Sequence, residues 1–147
     1  MKKFDIRHID VVWVLIAQAL WAAPGNAAGA LAVGVAPGGA QLGFSYGVNG
    51  DQATDAIAGE HALTACKGAK ESNPAAQARC ALIGKYRNQC AVIAMDPKDG
   101  TPGVGWAIAA NSAAAVRQAL ASCEATAGPG RAGTCTVSAT RCDGTAK

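Results

Sequence analysis

Large side chains are scarce in this sequence. Aromatic residues make up 5% of the 147 positions, whereas 35 are Ala and 18 are Gly. The hydrophobic share of 50% is therefore largely methyl groups, which contribute little per residue when buried. Histidine is nearly absent, with only His8 and His61. Lys and Arg never cluster, and the formal net charge is +3, so the chain lacks the basic footprint of a nucleic-acid or anionic-membrane binder. The longest apolar run, Val11 to Ala23, is 13 residues broken only by Gln18, short of the roughly 20 that a membrane-spanning helix needs. A multidomain enzyme does not fit this length; one small domain does.

Three cations, Lys2, Lys3 and Arg7, precede that apolar run, and Pro24, Gly25 and a cluster of small residues follow it. This is the order of a secretory signal peptide, expected over residues 1–27 with cleavage between 27 and 30, since Gly25-Asn26-Ala27 and Ala28-Gly29-Ala30 both offer small residues at alternate positions. Residues 28–147 are then a single exported domain, periplasmic or extracellular, with no membrane span once the leader is gone. Two of the three Trp leave with the leader, and the remaining aromatics are Phe44, Tyr46, Tyr86 and Trp106. Counted from residue 28, the larger apolar side chains number 21, near the lower limit for a self-sufficient core.

All six cysteines, Cys66, Cys80, Cys90, Cys123, Cys135 and Cys142, follow the leader. An even count in an exported chain with few large apolar residues reads as a disulfide framework. Zinc or thiol redox chemistry favours Cys-x-x-Cys or a Cys/His pair at short spacing. Here the closest cysteines are Cys135 and Cys142, and His61 is the only histidine beyond the leader. No cofactor and no metal site is expected.

Self-comparison shows an internal repeat. At an offset of 60, residues 29–47 lie over 89–107, matching Pro37 with Pro97, Gly43 with Gly103 and Tyr46 with Trp106. At an offset of 57, Ala62-Leu63 and Cys66 lie over Ala119-Leu120 and Cys123; at 55, Cys80 lies over Cys135. Residues 29–35 and 42–48 read as two strands around Ala36-Pro37-Gly38-Gly39, mirrored by 89–95 and 103–108 around Asp96-Pro97-Lys98-Asp99-Gly100. Ala-rich helices follow, with Asp55 and Ser112 as expected caps and the stripes Ala56, Gly59, Leu63, Cys66 and Ala113, Val116, Leu120, Cys123 as expected buried faces. Residues 80–86 and 135–139 supply a third strand each. The expected fold class is α+β: a duplicated β-β-α-β unit, copies 29–88 and 89–147, with a small antiparallel sheet, two helices and disulfide stabilisation.

This order limits the fifteen possible pairings without fixing one. A helix-end cysteine followed by a strand-start cysteine closes a short loop in each copy, which favours Cys66–Cys80 and Cys123–Cys135 and leaves Cys90–Cys142. Chain-entropy arguments assign about 3 kcal/mol to each short bridge and about 4 kcal/mol to the long one. That is a large share of the roughly 5–15 kcal/mol by which domains are stable.

The ordered set Gly43-Phe44-Ser45-Tyr46-Gly47, Ala62-Leu63-Thr64-Ala65-Cys66, Tyr86-Arg87-Asn88-Gln89-Cys90-Ala91, Gly105-Trp106-Ala107 and Ala119-Leu120-Ala121-Ser122-Cys123 resembles the bacterial family known as domain of unknown function 4189. The resemblance covers essentially the whole chain after the leader. It implies a small exported bacterial protein, or a module of a larger envelope or secreted protein, and carries over no catalytic residue. The longer loop containing Glu71-Ser72-Asn73-Pro74 and the turn Val48-Asn49-Gly50-Asp51 depart from the pattern and are where this member could differ in partner.

Little catalytic chemistry is visible. His61 lies off the apolar stripe and reads as a solvated helical residue. Asp51, Asp55, Glu60, Asp96 and Asp99 read as turn and capping groups, and Asp96-Pro97-Lys98-Asp99-Gly100 lacks the alternating oxygen ligands of a calcium loop. Gly103-Val104-Gly105 has no third glycine and sits in a strand, which argues against a nucleotide turn. Glycines beside Tyr46 and Trp106 are expected to relieve crowding under the rings. The leading function is an exported binding or interaction module, a monomer with an unidentified protein or envelope partner, and Tyr46, Tyr86 and Trp106 as the candidate partner surface. The alternatives are an envelope hydrolase using His61 and a thiol–disulfide redox protein.

Overall fold

A computed structural model describes residues 28–147; the expected leader lies outside the described residues. Strands β1 (Ala28–Val35) and β2 (Phe44–Gln52) are followed by helix α1 (Asp55–Lys67), a four-residue helix α2 (Pro74–Gln77) and strand β3 (Ala81–Tyr86). The order then repeats as β4 (Cys90–Met95), β5 (Val104–Ala109), α3 (Ser112–Ala127) and β6 (Thr136–Cys142). Each half is thus an α+β unit of β-β-α-β order. The strands form two antiparallel sheets, one per unit, in the orders β2-β1-β3 and β5-β4-β6, instead of the single sheet expected.

Alternation along the central strands explains the layering. Leu31 and Val33 of β1 and Ala91 and Ile93 of β4 point into a shared core with Phe44, Tyr86 and Val104. The intervening Ala28, Ala30 and Ala32 pack on Ala58, Ala62 and Cys66 of α1. Likewise Cys90, Val92 and Ala94 pack on Ala115, Ala119 and Cys123 of α3. The sheets therefore face each other across the larger side chains, and each carries a helix on its outer face. Alanine and cysteine dominate the helix interfaces, and the aromatic side chains lie between the sheets.

The buried helix faces differ from the expected stripes. Ala58, Gly59, Ala62 and Cys66 are buried in α1, and Ala115, Ala119, Cys123 and Ala127 in α3, whereas Ala56 and Ala113 are exposed and Leu63 and Leu120 only half-buried. The reason is close approach. A Cβ on Gly47 would collide with the Ala62 carbonyl, and one on Gly105 with the Ala119 carbonyl and the Cys123 amide, so the Ala face goes inward. These glycines make room for helix backbone, not for the rings of Tyr46 and Trp106. The caps also fall one residue earlier than expected: Thr54 Oγ1 accepts from Ile57 N at 3.2 Å, and Asn111 Oδ1 from Ala114 N at 2.9 Å.

Pairing registers support the offset of 60, since Val33 opposes Tyr46 and Ile93 opposes Trp106. For the third strands they give 57 where Lys85 matches Cys142 and Gly84 matches Arg141, and 58 where Leu82 matches Thr140 and Ala81 matches Ala139, not 55. Ala30 opposes Lys85, and its equivalent Cys90 opposes Cys142. Ile83 and Ser138 are bulge residues at different points along β3 and β6, so the two strands are shifted by one further residue only over the stretch between the bulges. Disulfides join Cys66 to Cys80, Cys123 to Cys135 and Cys90 to Cys142, over separations of 14, 12 and 52 residues.

Candidate functional site

The sandwich has one closed end and one open end. At the closed end a Cβ on Gly50 would meet the Cys142 carbonyl. The Tyr86 hydroxyl spans the gap there, donating to the Asn49 carbonyl and lying 3.3 Å from that of Arg141. Burial and the nearby Asp143 carboxylate raise the Tyr86 pKa above its ordinary value of 10.0. Tyr86 is 2% exposed, so it is removed from the expected partner surface: its ring covers Gly29 of the paired strand, where any side chain would collide with it.

At the open end the loops 36–43 and 96–103 lie beside each other, and equivalent residues of the two units, Gly43 with Gly103 and Phe44 with Val104, line one cleft. Two adjoining hollows of 250 and 560 Å³ share Phe44, Glu71, Met95 and Asp99. Tyr46 lines the larger. Phe44 stacks on Trp106 with centroids 6.1 Å apart and planes at 14°, and lies 6.0 Å from Tyr46. Tyr46 and Trp106, equivalent in the repeat, thus flank Phe44, and both are half-buried.

The loops behind the cleft are fixed by hydrogen bonds. Asp96 takes both Arg131 nitrogens Nε and Nη2, the Thr134 hydroxyl at 3.1 Å and the Lys98 amide at 3.0 Å. The Arg131 guanidinium foremost holds this buried carboxyl well below the usual carboxylate range. Glu124 accepts from Gly133 N at 2.6 Å and Cys135 N at 3.1 Å. In the first unit Asn73 donates to the Leu42 carbonyl at 2.9 Å, and Gln77 to the carbonyls of Ala69 and Ser72. Arg131 and Glu124 carried no signal in the sequence, because their partners lie across loops without periodicity.

Inside this frame the polar side chains of Lys70, Glu71, Ser72, Asp99 and Ser138 border the larger hollow. None of the five side chains makes a hydrogen bond or ion pair within the described residues. His61 is exposed on α1 and lies outside the cleft. None of the six cysteines is a free thiol, and Cys66, Cys90 and Cys123, one from each bridge, are fully buried. No group of three or more His, Cys, Asp or Glu among the described residues is placed to hold a metal ion.

The family model for a domain of unknown function, DUF4189, matches residues 28–142. The chain belongs to the DUF4189 family. The DUF4189 match runs from the first residue of β1 to the last of β6, and so takes in both units, both sides of the cleft and all three disulfides. Comparison with curated proteins and with solved structures finds no match.

Proposed function

We propose that this DUF4189 protein is an exported binding module that holds its partner in the cleft at the open end of the sandwich. Three disulfides in a small domain accord with an oxidising, exported location. One observation carries the reading: five polar side chains without internal partners stand around the half-buried Tyr46 ring, while neighbouring loop polar groups such as Asp96, Asn73 and Gln77 are committed to holding the frame. Uncommitted donors and acceptors over an apolar floor are what a ligand site requires. A hydrolase is less well supported, since His61 stands alone on the helix surface.

The test is site-directed crosslinking in the producing cell. A photo-reactive residue at Asp99 or Ser138 is expected to trap a discrete envelope or extracellular component, and the same residue at Glu60, on α1, is expected to trap none. Crosslinking equally from all three positions, or from Glu60 alone, overturns the proposal.

A further inference from the structure

We infer that the ligand of this cleft is a neutral oligosaccharide, built of hexose or N-acetylhexosamine units; this rests on the cleft being the binding site. A pyranose ring presents an apolar C–H face and a rim of hydroxyls, and recognition requires an aromatic face with donors and acceptors beside it. The half-buried Tyr46 supplies the face, backed by Phe44, which is 8% exposed, and by Trp106 stacked on Phe44. Glu71 and Asp99 supply carboxylate acceptors, Ser72 and Ser138 hydroxyls, and Lys70 a donor.

Charge complementarity narrows the class. Lys70 and Lys98 stand against Glu71 and Asp99 around the two hollows, and the third carboxylate there, Asp96, is paired with Arg131, so the uncommitted charges balance and select neither anion nor cation. A polyanion would meet two carboxylates. A lipid chain would bury five polar side chains without partners, which is unfavourable. An extended peptide joining a sheet edge needs a regular ladder, and Ser138 is the bulge that interrupts β6 at the cleft. A polyhydroxylated ligand with one apolar face satisfies the floor and the rim together.

The test is calorimetric titration of the exported, oxidised protein with tetrasaccharides of N-acetylglucosamine, glucose and mannose, and with a neutral tetrapeptide. At least one tetrasaccharide is expected to bind, and the tetrapeptide is not. Tyr46→Ala is expected to weaken the binding about tenfold, the exposed Asp99→Asn about fivefold, and Glu60→Gln not at all. Should Tyr46→Ala fail to fold, Asp99→Asn decides. No heat with any saccharide at millimolar concentration, or binding indifferent to both cleft substitutions, overturns the inference. If crosslinking from Asp99 then still traps a protein, the cleft remains the binding site and only the ligand class is wrong; if it traps nothing, both fall.

Discussion

Tyr86 and Asp143 hold the same place in the two units and face each other where the units close. Lys85 and Cys142 are equivalent by register, so the residues after them are equivalent too, and Asp143 N donates to the Gln89 carbonyl at 2.9 Å, Gln89 being the counterpart of Gly29. The phenol bonds carbonyls of β2 and β6. The carboxylate accepts from Asp51 N at 2.9 Å and Asn88 N at 3.2 Å, amides of two residues held at φ 55° and 50°. One equivalent pair has diverged into a donor for carbonyls and an acceptor for amides, and together they pin the end of the sandwich opposite the cleft.

Replacing Asp143, which is 1% exposed, with Ala removes the acceptor of both amides. The expected loss is about 2–4 kcal/mol, read as a lower urea midpoint with the Cys90–Cys142 bridge still oxidised. An unchanged midpoint would show that water replaces the carboxylate.

The alkaline limb of the stability curve is expected to report Tyr86. Its folded pKa is raised above 10.0, so its contribution is complete below pH 10; as pH rises past 10 the unfolded chain loses the proton first, and the contribution is gone beyond the folded pKa. Tyr86→Phe is expected to cost about 1 kcal/mol at neutral pH and to flatten that limb. Denaturant titrations between pH 8 and pH 11, as an order-of-magnitude window around the phenol pKa, check both.

Asp96 governs the acid side with the opposite sign. Its folded pKa lies below the ordinary 3.8, so its contribution is present above pH 3.8 and is lost as pH falls through the folded value. Asp96→Asn is expected to lower the melting temperature at neutral pH and to shrink the acid-induced drop, with Arg131→Gln behaving alike. Melting curves of the three proteins across this range provide the measurement.

Glycine substitutions separate packing from backbone strain. Gly105→Ala drives a methyl into the backbone of α3 and is expected to cost about 3 kcal/mol or more. Gly100 stands at φ 74° with no atom within 4 Å of where a methyl would sit, and Gly100→Ala is expected to cost only about 1–2 kcal/mol. Equal thermal shifts for the two would contradict the close helix–sheet contact.

Processing is expected after Ala27. Ala28 and Ala30 are fully buried in the central strand β1, and Gly29 between them makes room for the Tyr86 ring, so cleavage after Ala30 would remove structure that α1 and β3 pack upon. The intact mass of the protein recovered from the producing cell is expected to place its first residue at Ala28. A first residue of Leu31 would contradict this.

Local period and covalent order were legible in the sequence alone. Residues 42–48 read as a strand where the structure has β2 at Phe44–Gln52, the repeat placed Tyr46 with Trp106, and the order of the six cysteines limited how they pair. What the sequence could not supply depends on register and distance. The pairing register of the third strands, which puts Lys85 at the place of Cys142, decided that Tyr86 matches Asp143, and burial where the two units close turned an expected surface aromatic into a buried pin. The depth of helix approach, set by Gly47 and Gly105 against helix backbone, decided that Ala58 and Ala62 go inward while Leu63 is only half-buried. The clamp between Asp96 and Arg131 joins groups 35 residues apart, and the bond from Asp51 to Asp143 spans 92. The Asp51–Asp143 bond forms only after the two sheets have packed face to face, and the Asp96–Arg131 clamp only after the loops following β4 and α3 meet within one unit; the packing of the sheets is also what brings residues of both units to one cleft.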